Sequence, residues 1–119
     1  MSILPHFELS SETRDGQTHV IHVKGEIHVS TAPEFAAQLD GAIAQDHPAV
    51  VLDLTEVEFI DSTGLSVLLN GLRSVTLRGG RLALAVSNPT VLRLFEITRL
   101  DSTFDIDSTL DEALRRVAH

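Results

Sequence analysis

Cysteine is missing from all 119 residues, and with it any disulfide framework, thiolate metal site or thiol redox switch; a reducing, cytoplasmic setting is the expectation. Tryptophan and tyrosine are missing too, and phenylalanine occurs five times, so the core has to be built from aliphatic side chains. Lysine occurs once, at Lys24, and nine basic side chains face seventeen acidic ones, a formal charge of −8. Such a surface repels phosphate backbones and has no basic stripe from which nucleic acid could displace counterions, which argues against a direct nucleic-acid partner. No run approaches the roughly 20 apolar residues of a membrane span. The segment Met1-Ser2-Ile3-Leu4-Pro5-His6 lacks the basic and apolar regions of a signal peptide, so neither membrane insertion nor export is expected. Repeats, linkers and low-complexity tracts are likewise absent.

What is present is enough for one globular unit. Hydrophobic residues make up 43% of the chain, mostly Leu, Val, Ile and Ala, and the length predicts a single domain over residues 1–119 with its core at about 6–117. The acid surplus either steers the molecule toward a basic surface on another protein or simply solvates its exterior.

Periodicity predicts a mixed α/β order. Phe7 to Thr13 alternates weakly, Asp15-Gly16 offers a hairpin turn, and Thr18 to Lys24 follows as an antiparallel strand that Gly25 ends. Thr31-Ala32-Pro33-Glu34 reads as a helix start, with a capping hydroxyl on Thr31, a first-turn proline and a glutamate three places on. Ala32, Phe35, Ala36, Leu39 and Ile43 then carry an amphipathic helix to about His47-Pro48. Ala49 to Leu54, apolar except for Asp53, suits a central strand covered on both faces, followed by a loop from Thr55 to Ile60. Leu65, Leu68, Leu69, Leu72 and Val75 mark a second helix closed by Gly79-Gly80. Arg81 to Val86 is a buried strand, Asn88-Pro89 opens a short helix with Val91, Leu92 and Phe95 inward, and Thr103 to Ile106 is a last short strand. Ser108 caps a closing helix with Leu110, Ala113, Leu114 and Val117 on one face. Strands alternating with helices predict parallel crossovers, hence a mixed sheet of four to five strands packed with about four helices.

The most informative stretch is Asp61-Ser62-Thr63-Gly64-Leu65. Ser62 stands where an N-cap belongs, so its hydroxyl is expected to bond first-turn amides, while Gly64 leaves the backbone open to close approach. Capping alone would account for the serine. The run Phe59-Ile60-Asp61-Ser62-Thr63-Gly64-Leu65, however, resembles the signature of STAS domains, the family shared by anti-sigma factor antagonists and sulfate transporter tails. Gly25-Glu26-Ile27 with Thr31-Ala32-Pro33-Glu34, Gly79-Gly80-Arg81-Leu82 and Leu110-Asp111-Glu112-Ala113-Leu114 are similar to further landmarks of that family, in register over about residues 20 to 117.

The resemblance implies a STAS fold and a binding protein rather than an enzyme. It implies an anti-sigma factor antagonist that binds an anti-sigma factor/serine-protein kinase, releases a sigma factor, and is switched off by phosphorylation of Ser62, with Thr63 the lesser acceptor. A PP2C-type phosphatase would reset it, and a homodimer is compatible with the family. The interface it implies comprises Glu26, His28, Ser30, Thr31, Asp61, Ser62, Thr63, Gly64 and Leu65. No cofactor and no metal is implied. The alternative within the same fold is a non-switching accessory subunit of a transporter or signalling scaffold, in which Ser62 or Thr63 is a structural contact. Two departures stand out. His28 replaces the aspartate usual after Gly-Glu-Leu/Ile, which would make binding pH-sensitive were it to titrate near the reference value of about 6.5; Arg99 stands where relatives often carry Gly, so that helix end is expected to differ.

Other chemistries fit poorly. A hydrolase would need a base for Ser62, and no Gly-x-Ser-x-Gly elbow exists; the Asp-Ser-Thr-Gly run has one residue too many for an aspartic protease and leads into a helix. A phosphoaspartate receiver would use Asp53 but also needs an early acidic pair and a late lysine, whereas a structural acid satisfied by loop amides needs neither. The histidines at 6, 19, 22, 28, 47 and 119 form no metal-ligand spacing; His22 facing His6 across the first hairpin would supply only two ligands.

Overall fold

The computed structural model describes residues 7–45 and 48–118. His6 and His47, and with them the expected His6–His22 pairing, lie outside the described residues. Five strands form one sheet in chain order: β1 (Phe7–Arg14), β2 (Thr18–Ile27), β3 (Ala49–Ile60), β4 (Arg81–Ala85) and β5 (Asp105–Asp107). β1 and β2 are antiparallel, and every later pair is parallel. The four helices are α1 (Ala32–Ala44), α2 (Ser62–Leu77), α3 (Pro89–Ile97) and α4 (Leu110–Val117), with a single 3-10 turn at Leu100–Ser102.

Each parallel crossover must carry the chain back along the sheet, and its helix buries one apolar stripe in doing so. One face packs Phe35 and Leu39 of α1, Leu65, Leu68 and Val75 of α2, and Val91 and Phe95 of α3 on Ile21, Val50, Leu52 and Leu84. The opposite face is smaller: Ala113 and Val117 of α4 cover Val20, Val51, Ala83 and Ala85. Arg116 fastens α4 to β5 through a two-pronged pair with Asp107 at 2.7 and 2.8 Å. The central strand β3 is therefore covered on both sides, as its apolar run predicts. Phe95 and Phe104 meet edge to face, 5.9 Å apart, and supply the only ring pair among the described residues.

Four sequence expectations are corrected. β3 does not stop at Leu54; Thr55 to Ile60 is strand, not loop. β4 accompanies β3 only as far as Asp53, so the second half pairs with β2 alone, and there exposed Glu56 and Glu58 flank buried Val57 before the alternation breaks at exposed Phe59 and buried Ile60. Gly25 does not end β2 but sits inside it at a φ of +104°, beside a register shift against β3, a backbone setting that suits glycine. Thr31 holds the N-cap position of α1 but makes no cap hydrogen bond, its hydroxyl being committed elsewhere. The cap of α4 is Thr109, whose hydroxyl accepts from the Glu112 amide, while Ser108 donates to the Glu112 carboxylate.

Arg99 keeps the turn that a glycine would make. It closes the end of α3 at φ +62°, ψ 19°, in the left-handed region. An L side chain there costs about 1–2 kcal/mol, and glycine returns roughly 0.4–1 kcal/mol of that through its freer unfolded chain. Arg99→Gly is therefore expected to stabilise the protein by about 0.5–1 kcal/mol, read as a higher urea midpoint at unchanged slope; a lower midpoint would show that the guanidinium makes compensating contacts.

Candidate functional site

The C-terminal ends of β2 and β3 come out side by side. Glu26 pairs with Phe59 and Ile27 with Ile60, and the Asp61 amide donates to the Ile27 carbonyl at 3.1 Å. From there the two chains diverge, one into the turn at residues 28–31 and the other into α2. Gly64 lets α2 sit directly on the strand ends. A Cβ at this position would lie 2.6 Å from Ile60 Cγ1 and 2.8 Å from Ile27 Cγ2, so a larger residue would push the helix away.

Ser62 is not the cap of α2. Asp61, extended at φ −109°, ψ −174°, is the cap, and its Oδ1 accepts from the Gly64 amide at 3.1 Å. A carboxylate serves this place well, because it satisfies an orphan amide and lies against the positive end of the helix. Ser62 becomes the first helical residue, exposed, and its hydroxyl makes no hydrogen bond among the described residues. Thr63 is also exposed, whereas Gly64 and Leu65 are buried beneath them.

The neighbouring turn is tightly bonded. The Thr31 hydroxyl donates to the Glu26 carbonyl at 2.7 Å and accepts from the His28 amide at 3.0 Å, and the Thr31 and Ala32 amides donate to the His28 carbonyl. His28 Nδ1 accepts from the Ser30 amide at 3.1 Å. The structure thus brings Glu26, His28, Ser30, Thr31, Asp61, Ser62, Thr63, Gly64 and Leu65 to one end of the sheet, with Leu65 turned into the core. Two exposed apolar side chains stand with them that the residue-type argument passed over: Val29, 69% exposed, and Phe59, 45% exposed. Phe59 borders a groove of about 260 Å³ shared with Val91, Leu94 and Ile97. Strand alternation from buried Val57 gives no sign of its exposure, which coincides with the register shift that makes Phe59 the partner of Glu26.

A second cluster lies further down the same strands. His22 donates from both ring nitrogens, Nδ1 to Asp53 Oδ2 and Nε2 to Glu12 Oε2, each at 2.8 Å, so one imidazolium ties β1, β2 and β3 together. By strand register the residue opposite it on β1 is Ser10. Asp53 lies within β3 rather than at its end, and its Oδ1 accepts from the Thr55 amide at 3.1 Å and hydroxyl at 2.7 Å. This amends the expectation of loop amides: its partners are a strand amide, a hydroxyl and an imidazole.

Burial alone would lower the His22 pKa, but the hydrogen-bonded carboxylates of Glu12 and Asp53 outweigh it and the net shift is upward. Glu12, held by Arg14 and then by His22, falls from 4.5 to about 2. A raised histidine stabilises the fold fully below its unfolded value of about 6.5, and that contribution fades as the pH rises through the folded value. The lowered carboxylate acts above about 4.5 and is lost as the pH falls toward about 2. The clamp is thus expected to contribute most between about pH 4.5 and 6.5. Urea unfolding should show a decline above that window that is absent from His22→Gln; an identical pH profile in the variant would refute the clamp.

The sequence profile of the STAS domain family matches residues 9–113. The anti-sigma-B factor antagonist of Listeria monocytogenes is 35% identical over 106 residues, covering 87% of this chain and 93% of its own length. An anti-sigma factor antagonist from Mycobacterium paratuberculosis has a crystal structure that superposes with a TM-score of 0.88 at 33% identity, covering 96% of each chain. The Bacillus cell fate determinant SpoIIAA in its phosphorylated form superposes with a TM-score of 0.68 at 27% identity, covering 94% of this chain and 99% of that one. Among the described residues, no helix is long and apolar enough to cross a membrane.

Proposed function

This chain belongs to the STAS domain family, and we propose that it is an anti-sigma factor antagonist: it binds an anti-sigma factor that is also a serine kinase, releases the sigma factor, and is switched off by phosphorylation of Ser62. The observation that carries the reading is the free hydroxyl of Ser62, exposed on the first turn of a helix already capped by Asp61. Because the cap is Asp61, modifying Ser62 breaks no hydrogen bond on which the helix depends. The exposed Val29 and Phe59 beside it supply the apolar contact area that a protein partner uses, and the names of the relatives above support the same function.

In this scheme the chain is a substrate and not a catalyst. The γ-phosphoryl group of ATP passes to Ser62 Oγ: the bond to ADP breaks, the bond to serine forms, and the hydroxyl proton leaves to a base of the kinase or to water. A PP2C-type phosphatase hydrolyses the phosphoserine and restores binding.

The test is intact-mass analysis after incubation with candidate anti-sigma kinases and ATP, with Ser62→Ala alongside. One added phosphate that disappears in the variant is the expected result. Tight binding that ATP never reverses, with no phosphate added, would replace the switch with a permanent accessory subunit.

A further inference from the structure

We infer that His28 is the hydrogen-bond donor for a phosphate carried by Ser62, an inference that rests on the functional reading above. The placement comes from register. Ile27 pairs with Ile60, and the Asp61 amide reaches the Ile27 carbonyl, so the next residue, His28, stands level with Asp61 and next to the turn that begins at Ser62. The turn that holds His28 is fixed by the bonds of Thr31 to the Glu26 carbonyl and the His28 amide.

The chemistry comes from one hydrogen bond. The Ser30 amide can only donate, so His28 Nδ1, which it meets at 3.1 Å, carries no proton. In the neutral ring the proton is therefore on Nε2, and Nε2 has no partner among the described residues. The neutral His28 ring thus carries a donor at Nε2, and a phosphate oxygen is a strong acceptor.

The surroundings make that donor matter. The titratable groups at this end of the sheet are Glu26 at the end of β2, Glu34 in the first turn of α1, Glu56 and Glu58 on β3, Asp61 at the head of α2 and, on α3, Arg93, which lines the groove with Phe59 and Ile60; residues 26–34 and 56–66 themselves include no lysine or arginine. The Gly64 amide is already taken by Asp61, so part of the helix end is unavailable to the phosphate. An anion on Ser62 then has the rest of the first turn and the His28 imidazole beside it, with Arg93 of α3 across the groove that Phe59 borders.

The experiment uses the full chain with phosphoserine incorporated at position 62 during translation, so that no kinase is needed. Long-range 1H–15N spectra of the unmodified protein are expected to give the Nε2–H tautomer for His28, and phosphorylation should displace its Nε2 resonance. In 31P titrations the phosphate midpoint is expected about half a pH unit lower than in the His28→Asn protein, because hydrogen bonding to the charged form favours that form. Asparagine can still accept from the Ser30 amide but places no atom where Nε2 lies. Histidine signals indifferent to the phosphate, or equal midpoints in the two proteins, would overturn the inference. Its failure would leave the kinase assay standing, and failure of the kinase assay would leave this contact measurable.

Discussion

On the proposed function, phosphorylation of Ser62 is expected to weaken binding to an anti-sigma factor by two to three orders of magnitude while moving the melting temperature by a few degrees at most. The two effects separate because the same charge meets different surroundings. On the isolated protein a phosphate of about −1.5 to −2 charges sits at the head of α2, where the helix dipole favours anions by roughly 0.3–1 kcal/mol. It displaces nothing, since Asp61 makes the cap and the Ser62 hydroxyl is exposed. Across an interface the same group has to be desolvated beside Asp61 and near Glu26 and Glu58. Charged groups buried without a partner cost about 2–5 kcal/mol in binding, and each ~1.4 kcal/mol is tenfold. Titration calorimetry of the phosphoserine protein against its anti-sigma factor, paired with a thermal melt, checks both halves. A large fall in melting temperature would mean that the phosphate acts by unfolding the site, and the switch would need another mechanism.

How much of this was legible in the sequence differs from element to element. The two strands, the α/β alternation and the central position of β3 follow from apolar periodicity, which survives because each helix has a single apolar face to bury. Caps were harder to place. Asp61-Ser62-Thr63 offers three capping side chains in succession, and only the extended backbone at Asp61 decides among them. The same ambiguity moved the cap of α4 from Ser108 to Thr109. The Thr31 hydroxyl was legible as a polar anchor but not its target, because the Glu26 carbonyl becomes available only where β2 ends beside β3. The site residues were brought together by a motif resemblance and then by geometry, whereas Val29 and Phe59 needed the turn after β2 and the register of β2 on β3. The clamp of Glu12, His22 and Asp53 left no local signature, since its members are 10 and 31 residues apart and meet only through the registers of three strands.

That clamp leads to the largest stability effect expected here: Asp53→Ala should cost about 1.5–3 kcal/mol, the range for losing a charged hydrogen-bond acceptor in a partly buried network. Asp53 does two jobs at once. Its Oδ2 faces the His22 imidazolium, and its Oδ1 holds both the amide and the hydroxyl of Thr55. Between His22 and Lys24 on β2 the partner strand advances from Asp53 to Glu56, so one extra residue of β3 is accommodated where Asp53 grips Thr55. This bulge turns the second half of β3 toward its end at Ile60, directly before Asp61 and Ser62. Removing the carboxylate leaves the imidazolium with Glu12 alone, frees the Thr55 amide and slackens the segment that positions the helix start. Asp53→Asn retains an acceptor for Thr55 but not the charge opposite His22, so it should lose less than alanine while flattening the pH dependence above about 6.5. Urea unfolding of the three proteins across pH separates these contributions. Equal losses for Asn and Ala would mean that the ion pair alone carries the effect, and wild-type stability in both would mean that the bulge holds without Asp53. Because the bulge leads to the Ser62 turn, Asp53→Ala should, on the proposed function, also weaken binding of the unphosphorylated protein to an anti-sigma factor, an effect that a carboxylate serving only as a phosphoryl acceptor in a receiver would not produce.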